Sequence, residues 1–320
     1  MFTAKTEKED AADRRTLTAR KIYLSAPRAF DGAQQEEAER DFFASLQLKN
    51  GTYKLTCRRR FDDLNALVSK LLPPARPLQM MDVAVSSGVS TLEWIESLEQ
   101  AGIDHHMTAG DLTTKGFLLS INEDLHMLVD DTGYPLQFDV CGTAVPNPPR
   151  RRYGTLYFLP LRLMRKKLAK HFAELREACA GAPAGALVKK HGIECRPVAL
   201  VSPQLQPSPK LEVIEDDILS NTKLAGSFHV LRAANILNKA YFDDETLVAI
   251  LVNLRARLRR GGLLIVCRTN DRNANNATIF TLHEAGRFEA TARLGEGSEV
   301  ESLVLNLPSD SSGSISEDKL

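Results

Sequence analysis

Residues 79–112 constrain this chain more than any other stretch. Gln79-Met-Met-Asp-Val-Ala-Val85 is a short apolar run of strand character, followed by the small residues Ser86, Ser87 and Gly88. A helical stretch over about 89–102 comes next, and a second strand over about 105–110 ends in Gly110-Asp111. Strand, small-residue turn, helix and a second strand with an acid at its tip make one βαβ unit. Such a unit brings main-chain amides and a helix N-terminus up to a ligand, while the acid accepts hydrogen bonds from ribose hydroxyls. Gly88 and Asp111 are 23 positions apart, near the roughly 20 used by nucleoside-binding units of this kind.

The surrounding pattern extends this unit. Residues 35–49 read as helical, and Arg60 to Leu72 is a clearer amphipathic helix that Pro73 and Pro74 stop. Extended segments are expected at 117–121, 125–129 and 135–140, with turn chemistry at Asp131-Thr-Gly133. A long helix over about 156–180 carries Phe158, Leu161, Met164, Leu168, Phe172 and Leu175 at spacings of three and four. Residues 196–201 read as a further strand. The α/β rhythm then resumes, with strands at 211–215, 228–234 and 263–267. A helix runs between the last two, over 243–260, opened by Asp243 or Asp244 and closed by Gly261-Gly262. Segments 278–282, 287–293 and 300–307 are expected to form an antiparallel edge.

Composition excludes several classes. With 43% hydrophobic and 26% charged residues the chain reads as an ordinary globular protein. Forty-one basic residues balance 41 acidic ones, so no global field draws it to nucleic acid. The five cysteines are scattered and lack a Cys-x-x-Cys pair, which argues for free thiols in a reducing, cytoplasmic setting. The charged N-terminus shows no secretory signal, and no apolar run approaches the roughly 20 residues of a membrane span. His105-His106 lacks a third ligand at useful spacing, so no metal is expected.

Five places, in order, resemble the class I S-adenosylmethionine-dependent methyltransferases, over about 60–112 and 210–307. They are Asp82-Val-Ala-Val-Ser-Ser-Gly88, Gly110-Asp111, Glu215-Asp-Asp-Ile-Leu219, Arg232-Ala-Ala-Asn-Ile-Leu237 and Leu258-Arg-Arg-Gly-Gly-Leu-Leu-Ile-Val266. The fourth resembles the Arg-Asn-Val-Leu segment of chemotaxis-receptor methyltransferases, whose layout also has a long segment between the second and third strands. The resemblance implies a Rossmann-like α/β fold: a mostly parallel sheet with helices on both faces, an antiparallel C-terminal edge and an inserted β-hairpin and helical segment. The chain is expected to divide into an arm with helices at 1–59, a catalytic domain at 60–308 with an insertion at about 113–209, and a Ser-, Asp- and Gly-rich disordered tail at 309–320.

The implied activity is methyl transfer from S-adenosyl-L-methionine. The implied cofactor-binding residues are Asp82, Ala84, Ser86, Ser87, Gly88, Asp111, Asp217, Ile218 and Asn235. Ala84 and Ser86 stand where the family has glycine, and His229 where many relatives have Asp. No Asn-Pro-Pro-Tyr-type motif supports methylation of base amino groups. The acceptor is expected to be a small molecule or lipid-like metabolite held by the inserted segment, not nucleic acid. No catalytic residue, acceptor atom or oligomeric state is assigned, since transfer to a positioned nucleophile needs little acid–base help.

Each residue also has a plainer role. Asp82 suits a strand-end cap, Asp111 a helix N-cap and Asp217 a turn. Asn235 suits a satisfied core amide, and His229 a core or edge histidine rather than a general base. Arg150-Arg-Arg152, Arg162, Arg165, Lys166, Lys167 and Lys170 suit a solvated helix face. The sharper alternatives over 150–172 are a lid on an anionic substrate or peripheral contact with anionic membranes. The rival function is a non-catalytic cofactor-binding or scaffold protein with the same fold. A nicotinamide oxidoreductase is disfavoured by the absence of Gly-x-Gly-x-x-Gly.

Overall fold

The computed structural model describes residues 17–24, 32–49, 51, 53–54, 58–147, 155–205, 207–220 and 224–308. Along the chain the elements are α1 (Ala19–Leu24), α2 (Gly32–Ser45), α3 (Asp62–Ser69), β1 (Leu78–Val83), α4 (Val89–Gln100) and β2 (His105–Asp111). There follow β3 (Lys115–Asn122), β4 (Leu125–Asp130), β5 (Pro135–Val140), β6 (Thr143–Pro146), α5 (Thr155–Ala178), β7 (Val188–Lys190) and β8 (Ile193–Ala199). The last are β9 (Leu211–Glu215), β10 (Phe228–Ala234), α6 (Asp244–Arg257), β11 (Leu258–Thr269), β12 (Asn275–Leu282), β13 (Phe288–Leu294) and α7 (Glu301–Leu305).

The chain divides into two units, Met1–Thr56 with Thr113–Ser202, and Cys57–Leu112 with Pro203–Leu320. The second unit is Rossmann-like. Its seven strands lie in the order β13-β12-β11-β10-β1-β2-β9, with the five from β11 to β9 parallel and β12 and β13 antiparallel at the edge. Central parallel strands are covered on both faces and so read as continuous apolar runs. On one face Met81, Val83, Leu231, Ala233, Leu264 and Val266 meet Leu247, Ile250, Leu251 and Leu254 of α6. On the other, Arg232 lies beneath Trp94 of α4, 4.2 Å from its ring centroid. Asp243 caps α6, accepting from the Thr246 amide at 2.8 Å.

Two expectations fail here. Gly261-Gly262 does not close the helix, which ends at Arg257; the pair lies inside β11, where the register with β10 shifts. A Cβ at Gly262 would stand 2.8 Å from the Arg259 carbonyl oxygen and 3.0 Å from that of His229, so strand crowding is what requires glycine. Segment 300–307 holds the short helix α7 (Glu301–Leu305) rather than a strand, with Val300, Val304 and Leu307 buried at helical spacing.

The first unit is a six-stranded antiparallel sheet, β6-β5-β4-β3-β8-β7. Side chains alternate between its two faces. Phe117, Leu119, Met127 and Val129 pack on Leu161, Met164, Leu168, Phe172 and Leu175 of α5. Leu118, Leu128 and Leu136 pack on Phe42 and Phe43 of α2 and on Leu46 just after it. Residues 17–24 and 32–45 pack within this unit. Ala19 donates its amide to Gln137 Oε1 at 2.7 Å, across 118 positions. The apolar stripe of α5 is buried, and Arg162, Arg165, Lys166, Lys167 and Lys170 are exposed. Arg150-Arg-Arg152, the Phe158 side chain and the 309–320 tail lie outside the described residues. Among the described residues no helix is long and apolar enough to cross a membrane.

Candidate functional site

Parallel strands deliver their C-terminal ends to one edge of the sheet, and the loops there are the natural ligand edge. The segment after β1 turns through left-handed backbone at Ala84 (φ +55°), Ser86 (φ +60°) and Gly88 (φ +82°). For Ala84 and Ser86 this conformation costs about 1–2 kcal/mol each. The bend is held by the Val85 amide donating to Gly110 O at 3.1 Å and the Ser86 amide donating to Asp111 Oδ2 at 2.7 Å. Asp111, 7% exposed, thus ties the β2 tip to the β1 loop. Gly88 is the left-handed N-cap of α4, and its carbonyl accepts from the Thr91 and Leu92 amides.

Asp82 is occupied elsewhere. Arg232 stands opposite it in the parallel register and donates Nε to Oδ1 at 3.0 Å and Nη2 to Oδ2 at 2.5 Å. Thr91 Oγ1 adds a donor to Oδ2 at 2.7 Å. At the end of β9, Asp216 and Asp217 diverge. Asp216 is buried, receives Arg257 Nη1 at 2.6 Å, and donates its amide to Asp111 O at 3.0 Å. Asp217 is exposed and accepts the Leu219 amide at 2.9 Å. Ile218 is half-buried against the α6 core. Asn235 (φ +61°) accepts the Thr269 amide on Oδ1 at 2.7 Å. From there Thr269 Oγ1 donates to Asn275, which reaches Asp63 at 2.7 Å.

The structure therefore brings the 82–88 loop, Asp111, Asp217, Ile218 and Asn235 to one edge of one sheet. Sequence reasoning missed Asp216–Arg257, although Arg257 in a last helical turn beside apolar neighbours was the available signal. It also missed Leu205. Leu205 is 2% exposed and packs on Gly88; its Cδ2 lies 2.5 Å from where a Gly88 Cβ would be.

The opposite edge holds both histidine features. His105 is buried at the start of β2, with Nδ1 3.0 Å from the Ile103 carbonyl. His229, at the start of β10, accepts the Gln79 amide on Nδ1 at 2.9 Å. Burial, and then the charge of Arg259, hold the His229 pKa below the ordinary imidazole value of 6.5. The unfolded chain binds a proton there that the folded chain refuses. The resulting stability is present above about pH 6.5 and is lost as pH falls through the lowered folded value. His229→Gln is expected to flatten the decline of the urea midpoint between about pH 7 and 5. An unaltered slope would contradict this. At the end of β11, burial pushes the Cys267 thiol up to about 12, which removes it as a nucleophile.

The donor set fits an adenosine-linked ligand on the Asp111 side, where a strand-tip acid meets main-chain amides. Ser87 Oγ, buried without a hydrogen-bond partner among the described residues, is one further polar atom for it. On the Gly88 side Leu205 occupies the approach.

No family profile and no curated protein match the chain. Solved structures do resemble it. The citrinin polyketide synthase CMeT domain is 15% identical over 65% of this chain and 33% of its own, with a TM-score of 0.29. A protein from Pyrococcus horikoshii is 12% identical over 77% of this chain and 79% of its own, TM-score 0.32. A Methanosarcina mazei SAM-dependent methyltransferase is 13% identical over 63% and 56%, TM-score 0.28. The resemblance is one of fold. The chain spans a third of the citrinin domain's chain and 44% of that of a [4+2]-cyclase which it also resembles.

Proposed function

We propose that the Rossmann-like unit binds S-adenosyl-L-methionine at the C-terminal edge of β1, β2, β9 and β10 and serves methyl transfer to a small or lipid-like acceptor. The observation that carries this reading is the β1 loop, which adopts left-handed backbone at Ala84 and Ser86 and is tied through Ser86 to Asp111. A loop without two glycines still makes the bend that main-chain recognition needs. When bound, the cofactor supplies an electrophilic sulfonium methyl. Asp111 accepts from the ribose hydroxyls, Asp217 from the adenine amino group, and the 84–88 amides with Ser87 orient the amino-acid end. Asp82 acts through Arg232 and Thr91 by fixing the loop's base. Transfer then rests on positioning the acceptor in line.

Isothermal titration with S-adenosylhomocysteine tests this. Asp111→Ala and Asp217→Ala are each expected to weaken binding about tenfold or more, since each removes a hydrogen bond to a charged acceptor. Unchanged affinity in both variants defeats the reading. Leu205 on Gly88 favours a second reading, a binding protein without turnover. Radiolabelled methyl from the cofactor appearing in lysate components separates the two.

A further inference from the structure

His171 and Glu174 are three residues apart on α5 and so share a face. His191 opens the two-residue turn between β7 and β8, where His191 and Gly192 are both left-handed, with φ of +55° and +68°. His191 Nε2 is 2.7 Å from Glu174 Oε2, and the His171 and His191 rings stack with centroids 4.3 Å apart. One donor atom from each residue lies within 4.8 Å of the other two. Among the described residues no other group of three His, Cys, Asp or Glu side chains is so arranged. Their heads are open to solvent, but the backbones beneath are anchored. Phe172 and Leu175 of α5 and Ile193 and Cys195 of the hairpin belong to one buried core.

We propose that His171, Glu174 and His191 form a binding site for a transition-metal dication of the Zn²⁺ type, linking α5 to the β7–β8 turn. Two imidazoles and one carboxylate make the borderline donor set that suits Zn²⁺ or Co²⁺, in contrast to the all-oxygen sets of Mg²⁺ and Ca²⁺. Three protein ligands leave a fourth tetrahedral position to water. Glu174 Oε2 at present receives both His191 and Lys190 Nζ, the latter at 3.2 Å. A dication takes the place of these two donors: His191 turns a lone pair inward, releasing any proton it carries there, and the exposed Lys190 head moves into solvent. Lys190 is thus a built-in competitor for Glu174.

Titration of the full chain with Co²⁺, followed by its visible d–d absorption, tests the site, alongside Zn²⁺-dependent thermal unfolding with Mg²⁺ as control. Expected are Co²⁺ bands and a raised midpoint with Zn²⁺ but not with Mg²⁺. His171→Ala, Glu174→Gln and His191→Ala should each weaken Co²⁺ binding about tenfold or more, since each removes one of three ligands and even loss of a ligand's outer-shell partner costs about 10–100-fold. Lys190→Ala should tighten it. All four side chains are exposed or half-buried, and circular dichroism checks that the variants fold. Absence of Co²⁺ bands in the wild type, an equal response to Mg²⁺, or a Co²⁺ response that survives all three ligand substitutions overturns the proposal.

Discussion

Arg232→Met is expected to destabilise the Rossmann-like unit by about 3–5 kcal/mol, the range for removing one partner of a buried ion pair. Arg232 and Asp82 are 1% and 2% exposed, so water cannot replace the lost guanidinium. Asn65 Oδ1 and the Ser90 carbonyl also lose donors, and Trp94 and Phe61 lose the cation beneath their rings. Asp82→Leu combined with Arg232→Met should recover most of the loss, because no uncompensated charge then remains. Urea denaturation of the two single variants and the double variant measures this cycle. A loss below about 1 kcal/mol for Arg232→Met, the level of an exposed pair, would show that the pair is not sequestered.

Leu205→Ala carries the second large expectation, in two opposed directions. Truncating a fully buried leucine costs about 2–5 kcal/mol of stability, depending on how far the site collapses. The same change clears the approach to Gly88, where a Cβ would stand 2.5 Å from Leu205 Cδ2. Under the proposed function, S-adenosylhomocysteine should bind the variant more tightly than the wild type while urea unfolds it earlier. Gly88→Ala should weaken binding, since the new Cβ meets Leu205 and the φ of +82° strains any side chain. Tightening absent in Leu205→Ala would show that the segment around Leu205 does not limit access.

Much of the architecture was legible locally. The strands at 211–215 and 228–234 were read at their observed bounds from short runs centred on apolar and β-branched residues, Val213-Ile214 and Val230-Leu231. The α6 helix was legible from Leu247, Ile250, Leu251 and Leu254 and from the capping Asp243. The five-residue α7 was not, because so short a segment shows too few repeats to separate a period of 3.6 from one of 2. Nor was the burial of Thr18 and Ala19 in the antiparallel unit, where Ala19 packs among Phe42, Leu118 and Leu136 and donates to a glutamine 118 positions away.

The same division runs through the site. The sequence alone located the small-residue loop and the acid 23 positions beyond Gly88, since both features lie within one contiguous βαβ unit. Tertiary structure alone decided that Asp82 belongs to Arg232, 150 positions on, that Asp216 belongs to Arg257, and that Leu205 lies on Gly88. These pairings follow from strand order and from which loop returns to which edge. Hydrophobic periodicity records which face of a segment is buried, and carries no information about the distant segment that covers it.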